Sequence, residues 1–227
     1  MSKLIIYHGS DHVIETPKYH QGKSTNDYGF GFYCTENLEL AKEWACVDNN
    51  TNGFANKYEI ETSDLKVLDL TNKKYSILNW MAILLKHRTF DLTSEILKQA
   101  KDYLIKNFYI NVEDYDIVIG YRADDSYFSF ARDFINNTIS VRQLNRAMEL
   151  GELGKQVVVV SKKAFNKLKF IGFENATSIE YYVKRKARDT KARNEYLKTT
   201  LRNTSIKDDI FVIDIIRKGL KNGDEIL

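Results

Sequence analysis

The stretch from residue 28 to residue 45 combines glycines with aromatic residues in a pattern that suits a ligand-binding cleft. Gly29 and Gly31 alternate with tyrosine and phenylalanine, and the helix predicted after them carries Trp44. Glycine has no Cβ, so it lets the backbone approach a ligand closely or adopt a positive φ. We therefore expect this stretch to form the floor of a cleft for a flat ligand.

Two polar residues at the ends of predicted strands could complete such a site. His8 follows the apolar run Leu4–Tyr7 and precedes Gly9 and Ser10, which is typical of a strand that runs into a turn. Gln156 opens the run QVVVVS, whose consecutive valines indicate a strand that is buried on both faces. A polar side chain at the entrance of such a strand is unusual, so Gln156 is a candidate functional residue.

The other elements predict an α+β fold, because strands and helices are mingled without regular alternation. β-prone runs predict strands at residues 31–34, 54–60, 65–70, 117–121, 156–161 and 168–171. Helical spacing of apolar residues predicts helices after Thr35, the expected N-cap of the first, and at residues 76–107, 128–135, 141–150, 178–193 and 208–218. The segment 76–107 shows two helical pieces and is expected to be a helical insert between strands.

The length of 227 residues suits one globular core with an appendage. We expect residues 1–172 to form the core and residues 173–227 to form a C-terminal helical extension that packs on it. The N-terminus lacks the long apolar segment of a signal peptide, and no apolar run approaches the roughly 20 residues that span a bilayer. Cys34 and Cys46 lack the spacing of a disulfide framework or a zinc site. These features predict a cytoplasmic protein that binds neither a membrane nor a metal.

The positive charge is concentrated in one segment near the C-terminus. The net charge is +3, but residues 184–193 contain six Lys or Arg and one Asp, which sum to +5 and leave −2 for the rest of the chain. The segment is either a solvated helix face or a surface for an acceptor or partner, such as RNA, DNA or an acidic protein. Nucleic acid is the weaker alternative, because the segment lacks interleaved aromatic residues.

Taken together, the motifs resemble the ADP-ribosyltransferase superfamily, in its diphtheria-toxin and poly(ADP-ribose) polymerase branch, whose signature is His, Tyr and Glu on three strands. Tyr7–Ser10 is similar to the strand and His-Gly-Ser of that branch, and residues 28–33 are similar to its Phe-Gly-Lys-Gly-Ile-Tyr. The interval of eleven positions from Tyr33 to Trp44 is that between the two nicotinamide-stacking tyrosines of the polymerases. Gln156–Val159 looks like the Glu-Tyr-Ile-Val that opens the third strand, with Gln in place of Glu.

The resemblance covers about residues 4–172 and is closest to an uncharacterised, mostly bacterial group related to these transferases. It implies an NAD cleft between two small, facing, mainly antiparallel sheets. It also implies a mono-ADP-ribosyltransferase that moves ADP-ribose from NAD to a macromolecule, with a protein as the first candidate acceptor, and releases nicotinamide. NAD would be the co-substrate, and no metal would take part.

The same resemblance assigns roles to the residues of the motifs. Tyr33 and Trp44 would sandwich the nicotinamide ring, and the Gly9 backbone would hold its carboxamide. His8 would hydrogen-bond a ribose hydroxyl on the adenosine side, with Ser10 in support.

Two further residues keep alternative interpretations. Tyr28 could pack under the adenosine ribose or fill the core. Arg122 could reach the pyrophosphate of NAD, because its fork of donors suits phosphate geometry. Alternatively, Arg122 forms a solvent-facing ion pair with Asp124 or Asp125.

Gln156 would hydrogen-bond the 2′-OH of the nicotinamide ribose and so fix the sugar for attack. Cleavage of the bond between nicotinamide and ribose C1′ passes through an oxocarbenium-like state, so an enzyme must orient the leaving group and stabilise positive charge. A neutral amide neither offsets that charge nor accepts a proton. Polymer elongation is therefore disfavoured, and a single transfer would need a base from elsewhere. The candidate bases are acidic residues close to predicted turns: Asp124, Asp125, Glu149 and Glu152.

The replacement of Glu by Gln also keeps other functions open. A catalytically silent module could retain the clamp and bind NAD or an ADP-ribosylated partner. An NAD glycohydrolase would use water as the acceptor. Phosphate transfer from RNA, known in a distant branch of the fold, would need an arginine set that we do not find in the sequence. A toxin, a defence factor and a regulator are all compatible with these motifs, as is a cognate inhibitor protein as partner.

Overall fold

The computed structural model describes residues 3–150, 154–198 and 208–225, apart from the side chain of Asp125. Within these ranges the chain forms seven β-strands in two sheets and eight α-helices. The strands are β1 (Lys3–Ser10), β2 (Phe32–Cys34), β3 (Gly53–Glu61), β4 (Val67–Asp69), β5 (Ile117–Gly120), β6 (Gln156–Val159) and β7 (Leu168–Ala176). The helices are α1 (Leu38–Ala45), α2 (Ile77–His87), α3 (Glu95–Phe108), α4 (Asp125–Ile135), α5 (Val141–Met148), α6 (Lys162–Phe165), α7 (Ser178–Tyr196) and α8 (Val212–Arg217).

The strands form one sheet of three and one of four. The three-stranded sheet has the order β1-β3-β7, and its pairs are antiparallel. The four-stranded sheet has the order β2-β6-β5-β4, in which β4 and β5 run parallel and the other pairs antiparallel. Tyr7 and Thr35 join the two sheets by exchanging backbone hydrogen bonds of 2.8 and 2.9 Å. The architecture is therefore α+β, as the mingled strands and helices predicted, with two small, mostly antiparallel sheets, as the resemblance implied.

The valine run of β6 shows how the layers are stacked. Val157 and Val159 pack between the two sheets together with Ile6 of β1. Val158 and Val160 belong to the larger core, in which helices cover the other face of the four-stranded sheet. Side chains alternate between the faces of a strand, so both faces of β6 are buried. The prediction of a doubly buried strand is confirmed.

The expected helical insert forms α2 and α3, between β4 and β5. Ser76 and Asn79 form a capping box that starts α2, and every residue from Ile77 to Leu85 is buried. A helix that is apolar on most sides needs neighbours on most sides. α2 packs against α3 and α5, and its side chains share the larger core with those of the four-stranded sheet. In α3 only one face is buried, through Ala100, Leu104 and Phe108.

Two strands extend further than the sequence indicated. β1 continues to Ser10, which pairs with Phe54, so His8 lies within a strand instead of at its end. β7 continues to Ala176, so the expected boundary after residue 172 falls inside a strand. Both strands pair with β3, which is nine residues long. Backbone hydrogen bonds to β3 therefore extend each strand beyond the residues that its apolar pattern marks.

Two predicted helix features were wrong in detail, and one short helix was not predicted. Asn37, not Thr35, is the N-cap of α1, and its Oδ1 accepts a 3.1 Å hydrogen bond from Leu40 N. The last helix begins at Val212 instead of residue 208, and the short helix α6 was not predicted. Thr35 could not cap α1 because its backbone is committed to the link between the sheets.

The basic segment 184–193 lies on α7, and part of it faces α1. Arg188 donates hydrogen bonds of 2.9 and 2.6 Å to the buried carboxylate of Glu43. The Nζ atom of Lys184 lies 3.3 Å from Oε2 of Glu39 on α1. The segment is therefore only partly a solvated face, because some of its charge is neutralised by the helix that carries Trp44.

The two cysteines, Cys34 and Cys46, are free and buried. Among the helices that the structure describes, none combines the length and the apolar character needed to cross a membrane.

Candidate functional site

A cleft with a volume of about 450 Å³ opens where β1, β2 and β6 come together beside α1. This volume is usual for a small-ligand site. The strands and α1 contribute His8, Gly9, Phe32, Tyr33, Trp44 and Gln156 to its lining. The long loop between β1 and β2 and the segments after α2 and β5 close the other sides, with Asp27, Arg88, Arg122 and Asp124 among their lining residues.

His8 connects the first strand of one sheet to the second sheet. Its Nδ1 lies 2.7 Å from the Tyr33 carbonyl oxygen, which can only accept, so Nδ1 carries the proton. Burial lowers the pKa of His8, and the ring is therefore neutral at pH 7 with Nε2 as an acceptor. The ring also stacks on Phe32 with 4.3 Å between centroids. These contacts fix the orientation of the imidazole.

Gly9 is the point at which α1 approaches β1. A Cβ on Gly9 would lie 2.2 Å from the Ala41 carbonyl oxygen and 2.7 Å from Ala45 N. It would also lie 3.0 Å from the Cβ of Trp44. Any side chain at this position would push the helix away, so the absence of one is what lets Trp44 reach the cleft.

The hydroxyl of Tyr33 is fully engaged by the glycine-containing loop. It donates a 2.7 Å hydrogen bond to the Gly29 carbonyl oxygen and accepts one of 3.1 Å from Tyr28 N. Burial raises the pKa of Tyr33, so the phenol stays protonated. Gly29 has a φ of 76° and would place a Cβ 2.8 Å from the His87 ring, so only glycine suits this loop. The ring of Tyr33, and not its hydroxyl, is left to contact a ligand.

Arg122 covers one face of Trp44. The guanidinium carbon lies 4.2 Å from the centre of the ring, a cation–π contact. Nη2 of Arg122 also lies 3.0 Å from Asp124 Oδ2, and the two side chains are only 18% and 24% exposed. The ion pair expected from the sequence is present, but it lines the cleft and does not face solvent.

Gln156 lies at the first position of β6, opposite Gly120 of β5, and is 3% exposed. Among the residues that the structure describes, its Nε2 has no hydrogen-bond partner. Leaving a buried amide N–H unsatisfied costs about 1–3 kcal/mol. An unsatisfied donor at the wall of a cleft indicates a place for a ligand acceptor.

Asp27 belongs to the cleft, although nothing in the sequence singled it out. It is 6% exposed, and its Oδ2 accepts a 2.8 Å hydrogen bond from Ala123 N. Burial raises the pKa of Asp27 to about 6, despite the opposing effects of that hydrogen bond and of Arg88 and Arg122. The sequence shows only that Asp27 precedes Tyr28 in a polar stretch, and this position does not predict that its side chain is buried.

Asn56 of β3 is a second residue that the sequence did not reveal. Its Oδ1 accepts a 2.9 Å hydrogen bond from Ile14 N, and its Nδ2 donates to the carbonyl oxygens of His12 and His8 at 3.2 and 3.4 Å. The fully buried amide therefore ties the long loop to β1. This loop forms one wall of the cleft.

Two predicted NAD-binding residues do not line the cleft. Tyr28 is 1% exposed in the larger core, where its hydroxyl donates a 2.7 Å hydrogen bond to the Tyr121 carbonyl oxygen. Of the two alternatives for Tyr28, the structure supports the core. Ser10 lies beyond the cleft, and its hydroxyl contacts Asp11 and His12.

The candidate bases are scattered. Asp124 lines the cleft but is paired with Arg122. Glu149 lines a different cavity, of about 640 Å³, and so cannot serve this site. Asp125 begins α4, but its side chain lies outside the described part of the chain, as does Glu152 altogether. In the described ranges, no group of three or more His, Cys, Asp or Glu side chains could hold a metal ion.

The fold and the cleft define an α+β protein with a cleft of aromatic and polar side chains that is lined by both sheets. Residues 4–170 match the model of a family described as a protein of unknown function (DUF3990), so the chain belongs to this family. A search of curated proteins and a search of solved structures returned no match. The matched range runs from β1 into β7 and includes every residue that lines the cleft.

Proposed function

We propose that this protein is an ADP-ribosyltransferase-like enzyme that transfers a single ADP-ribose from NAD to a macromolecule and releases nicotinamide. The observation that carries the proposal is the meeting of His8, Tyr33, Trp44 and Gln156 in one cleft. These residues are up to 148 positions apart in the chain, and their side chains have the chemistry that the reaction needs.

Nicotinamide binding would use the two aromatic rings. Because the hydroxyl of Tyr33 is held by the loop, its ring presents a fixed surface, and Trp44 provides a second one. Arg122 stacks on Trp44 in the structure and would exchange places with the nicotinamide ring. The displaced guanidinium would remain in the cleft, where its fork of donors could bind the pyrophosphate.

The sugars would be held by His8 and Gln156. The Nε2 of neutral His8 can accept a hydrogen bond from a ribose hydroxyl, since Nδ1 donates to Tyr33. The unsatisfied Nε2 of Gln156 can donate to the oxygen of the 2′-OH, and its Oε1 can accept the hydroxyl proton. Such contacts orient the sugar while nicotinamide leaves as a neutral molecule, and positioning of this kind is a large part of catalysis.

Incubation of the purified protein with labelled NAD and fractionated lysate tests the proposal, with nicotinamide release measured by chromatography and transfer measured by label. We expect release in the wild type and a fall of about 100-fold or more in His8→Ala and Tyr33→Ala. Tyr182→Ala, an aromatic substitution on α7 outside the cleft, is the matched control and should behave as the wild type. The absence of both nicotinamide release and labelled acceptor in every fraction would overturn the proposal.

A catalytically silent binding module is the second candidate, and the neutral amide at position 156 is the observation that favours it. Calorimetry would then show NAD or ADP-ribose binding without turnover. A gain of NAD hydrolysis in Gln156→Glu would show that the cleft is competent for the chemistry. Free ADP-ribose as the sole product of the wild type would identify the third alternative, an NAD glycohydrolase.

A cytoplasmic location suits the proposal, because both cysteines are free thiols.

A further inference from the structure

We propose that Asp27 is the base of the cleft: it accepts the proton that the acceptor's nucleophilic group loses as this group attacks ribose C1′. This inference rests on the proposed function and adds a catalytic residue to it.

The reaction needs a proton acceptor that Gln156 cannot supply. The bond between the nucleophile and C1′ forms while the bond from C1′ to the nicotinamide nitrogen breaks, and the electron pair of that bond leaves with neutral nicotinamide. The nucleophile, a hydroxyl, an amine or water, must lose one proton. A carboxamide has no basic atom at neutral pH, so another side chain in the cleft has to receive it.

The position of Asp27 meets this need. It lines the same cleft as Tyr33 and Gln156. Its Oδ2 is held by Ala123 N at 2.8 Å, which fixes the carboxylate. Its Oδ1 lies 3.6 Å from Arg88 Nη1, beyond hydrogen-bond distance, so this oxygen keeps the capacity to accept a proton.

The charged groups around Asp27 come from three elements. Arg88 lies directly after α2, and Arg122 and Asp124 lie after β5. The phenol of Tyr33 on β2 is protonated and therefore carries no charge. Burial is the largest effect and outweighs both arginines, so the pKa of Asp27 is raised to about 6. A carboxylate with a pKa near neutrality can both take up and release a proton at the pH of a cell.

Asp116 is a second carboxylate of low solvent exposure, but its pKa shifts in the opposite direction. It is 8% exposed and also accepts a 2.8 Å backbone hydrogen bond, from Lys66 N. Burial acts to raise its pKa, but the hydrogen bonds from Ser161 Oγ and Lys66 N, together with the charges of Lys163 and Lys66, outweigh burial and lower the pKa. Asp116 does not line the cleft. It therefore serves as a control: a carboxylate of low solvent exposure that holds the fold outside the cleft.

The test compares Asp27→Asn with Asp116→Asn in NAD binding by calorimetry and in nicotinamide release between pH 5 and pH 8. Wild-type release should fall with decreasing pH as Asp27 is protonated, with an apparent pKa near 6. We expect Asp27→Asn to bind NAD within about threefold of the wild type, to release nicotinamide about 100-fold more slowly and to lose the acid limb of the profile. Asp116→Asn should keep that limb.

A rescue experiment separates catalysis from positioning. Gln156→Glu places a carboxylate at the cleft wall, so the double variant Asp27→Asn/Gln156→Glu should release nicotinamide within about threefold of Gln156→Glu alone. A structural role of Asp27 predicts instead that Asp27→Asn lowers release by the same factor in both backgrounds. If Asp27→Asn does not fold, Asp27→Ser keeps an acceptor for Ala123 N–H and takes its place.

Normal release with an unchanged pH profile in Asp27→Asn overturns the assignment of Asp27 and leaves the proposed function standing. No release by the wild-type protein overturns the proposed function, and with it the reaction in which Asp27 would act.

Discussion

The first and third residues of β6 differ in how completely their buried groups are satisfied. Gln156 and Val158 lie two residues apart on the same face of the strand, and they are 3% and 0% exposed. Val158 is surrounded by apolar side chains of the larger core, whereas the amide of Gln156 lacks a partner for Nε2 among the described residues. The buried groups of the core are satisfied by their neighbours, whereas this donor at the cleft is not.

A similar contrast separates Asp27 from two buried polar residues that do not line the cleft. Asn56 and Asp116 are buried with two or more hydrogen bonds each, and they stabilise the loop and the strand ends around them. Asp27 is buried in the cleft at a cost, because its charged form is disfavoured there. Residues that reduce stability locally are expected at functional sites, since the surrounding fold must hold them in place.

The largest expected effect is the pH dependence of stability that Asp27 confers. Its pKa is about 6 in the folded protein against an ordinary value of 3.8, so the folded state binds more protons between these values. The contribution of Asp27 to the unfolding free energy is therefore fully present below pH 3.8 and falls by about 3 kcal/mol as the pH rises through 6. Denaturant unfolding of the wild type and Asp27→Asn across pH 3.5–7 measures the difference. If the unfolding free energies of the two proteins depend equally on pH, the raised pKa of Asp27 is contradicted.

Truncation in the core should reduce stability without affecting ligand binding. Val158→Ala removes two methyl groups from a fully packed site, and we expect the unfolding free energy to fall by about 2 kcal/mol. Val158 lies opposite Tyr33 in the pairing of β6 with β2, whose backbone hydrogen bonds the truncation leaves in place, so NAD affinity, measured by calorimetry on the folded fraction, should stay within about twofold of the wild type. A large loss of affinity at unchanged stability would show that the core and the cleft are coupled.

Replacement of Gln156 should have the opposite outcome. Gln156→Leu keeps most of the volume and removes the unsatisfied donor, so stability should be unchanged or higher by up to about 1 kcal/mol. Nicotinamide release should be lost. A clear loss of stability in denaturant unfolding would mean that the amide supports the fold and not the cleft.

The smallest expected effect concerns Arg122. Its contact with Trp44 contributes about 0.5–2 kcal/mol, so Arg122→Ala should change the tryptophan fluorescence without unfolding the protein. If the guanidinium moves to the pyrophosphate on binding, NAD affinity should fall by several-fold despite the uncovered ring. Arg142→Ala, at the other cavity, is the matched control. Unaltered affinity in Arg122→Ala would leave Arg122 without a role in binding.

Much of the fold follows from local patterns along the chain. The valine run predicts a doubly buried strand, and the apolar spacing of residues 76–107 predicts two helices, because strand and helix periodicities are short-range properties. The ends of β1 and β7 are less predictable, since their last residues are held by pairing with β3. The motif residues His8, Tyr33, Trp44 and Gln156 could be proposed from their types and spacing, and they line one cleft.

Only the tertiary structure decided which polar groups are buried and which groups they contact. Asp27 receives its hydrogen bond from a residue 96 positions away, and Arg122 covers a ring on a helix 78 positions earlier in the chain. Tyr28, in the middle of the aromatic motif, turns into the core because its hydroxyl reaches the Tyr121 carbonyl oxygen. Residue type and periodicity determined the strands, the helices and a set of candidate residues. The pKa of a carboxylate and the partner of a cation depend on long-range packing, so only the folded chain assigns Asp27 and Arg122 to the cleft.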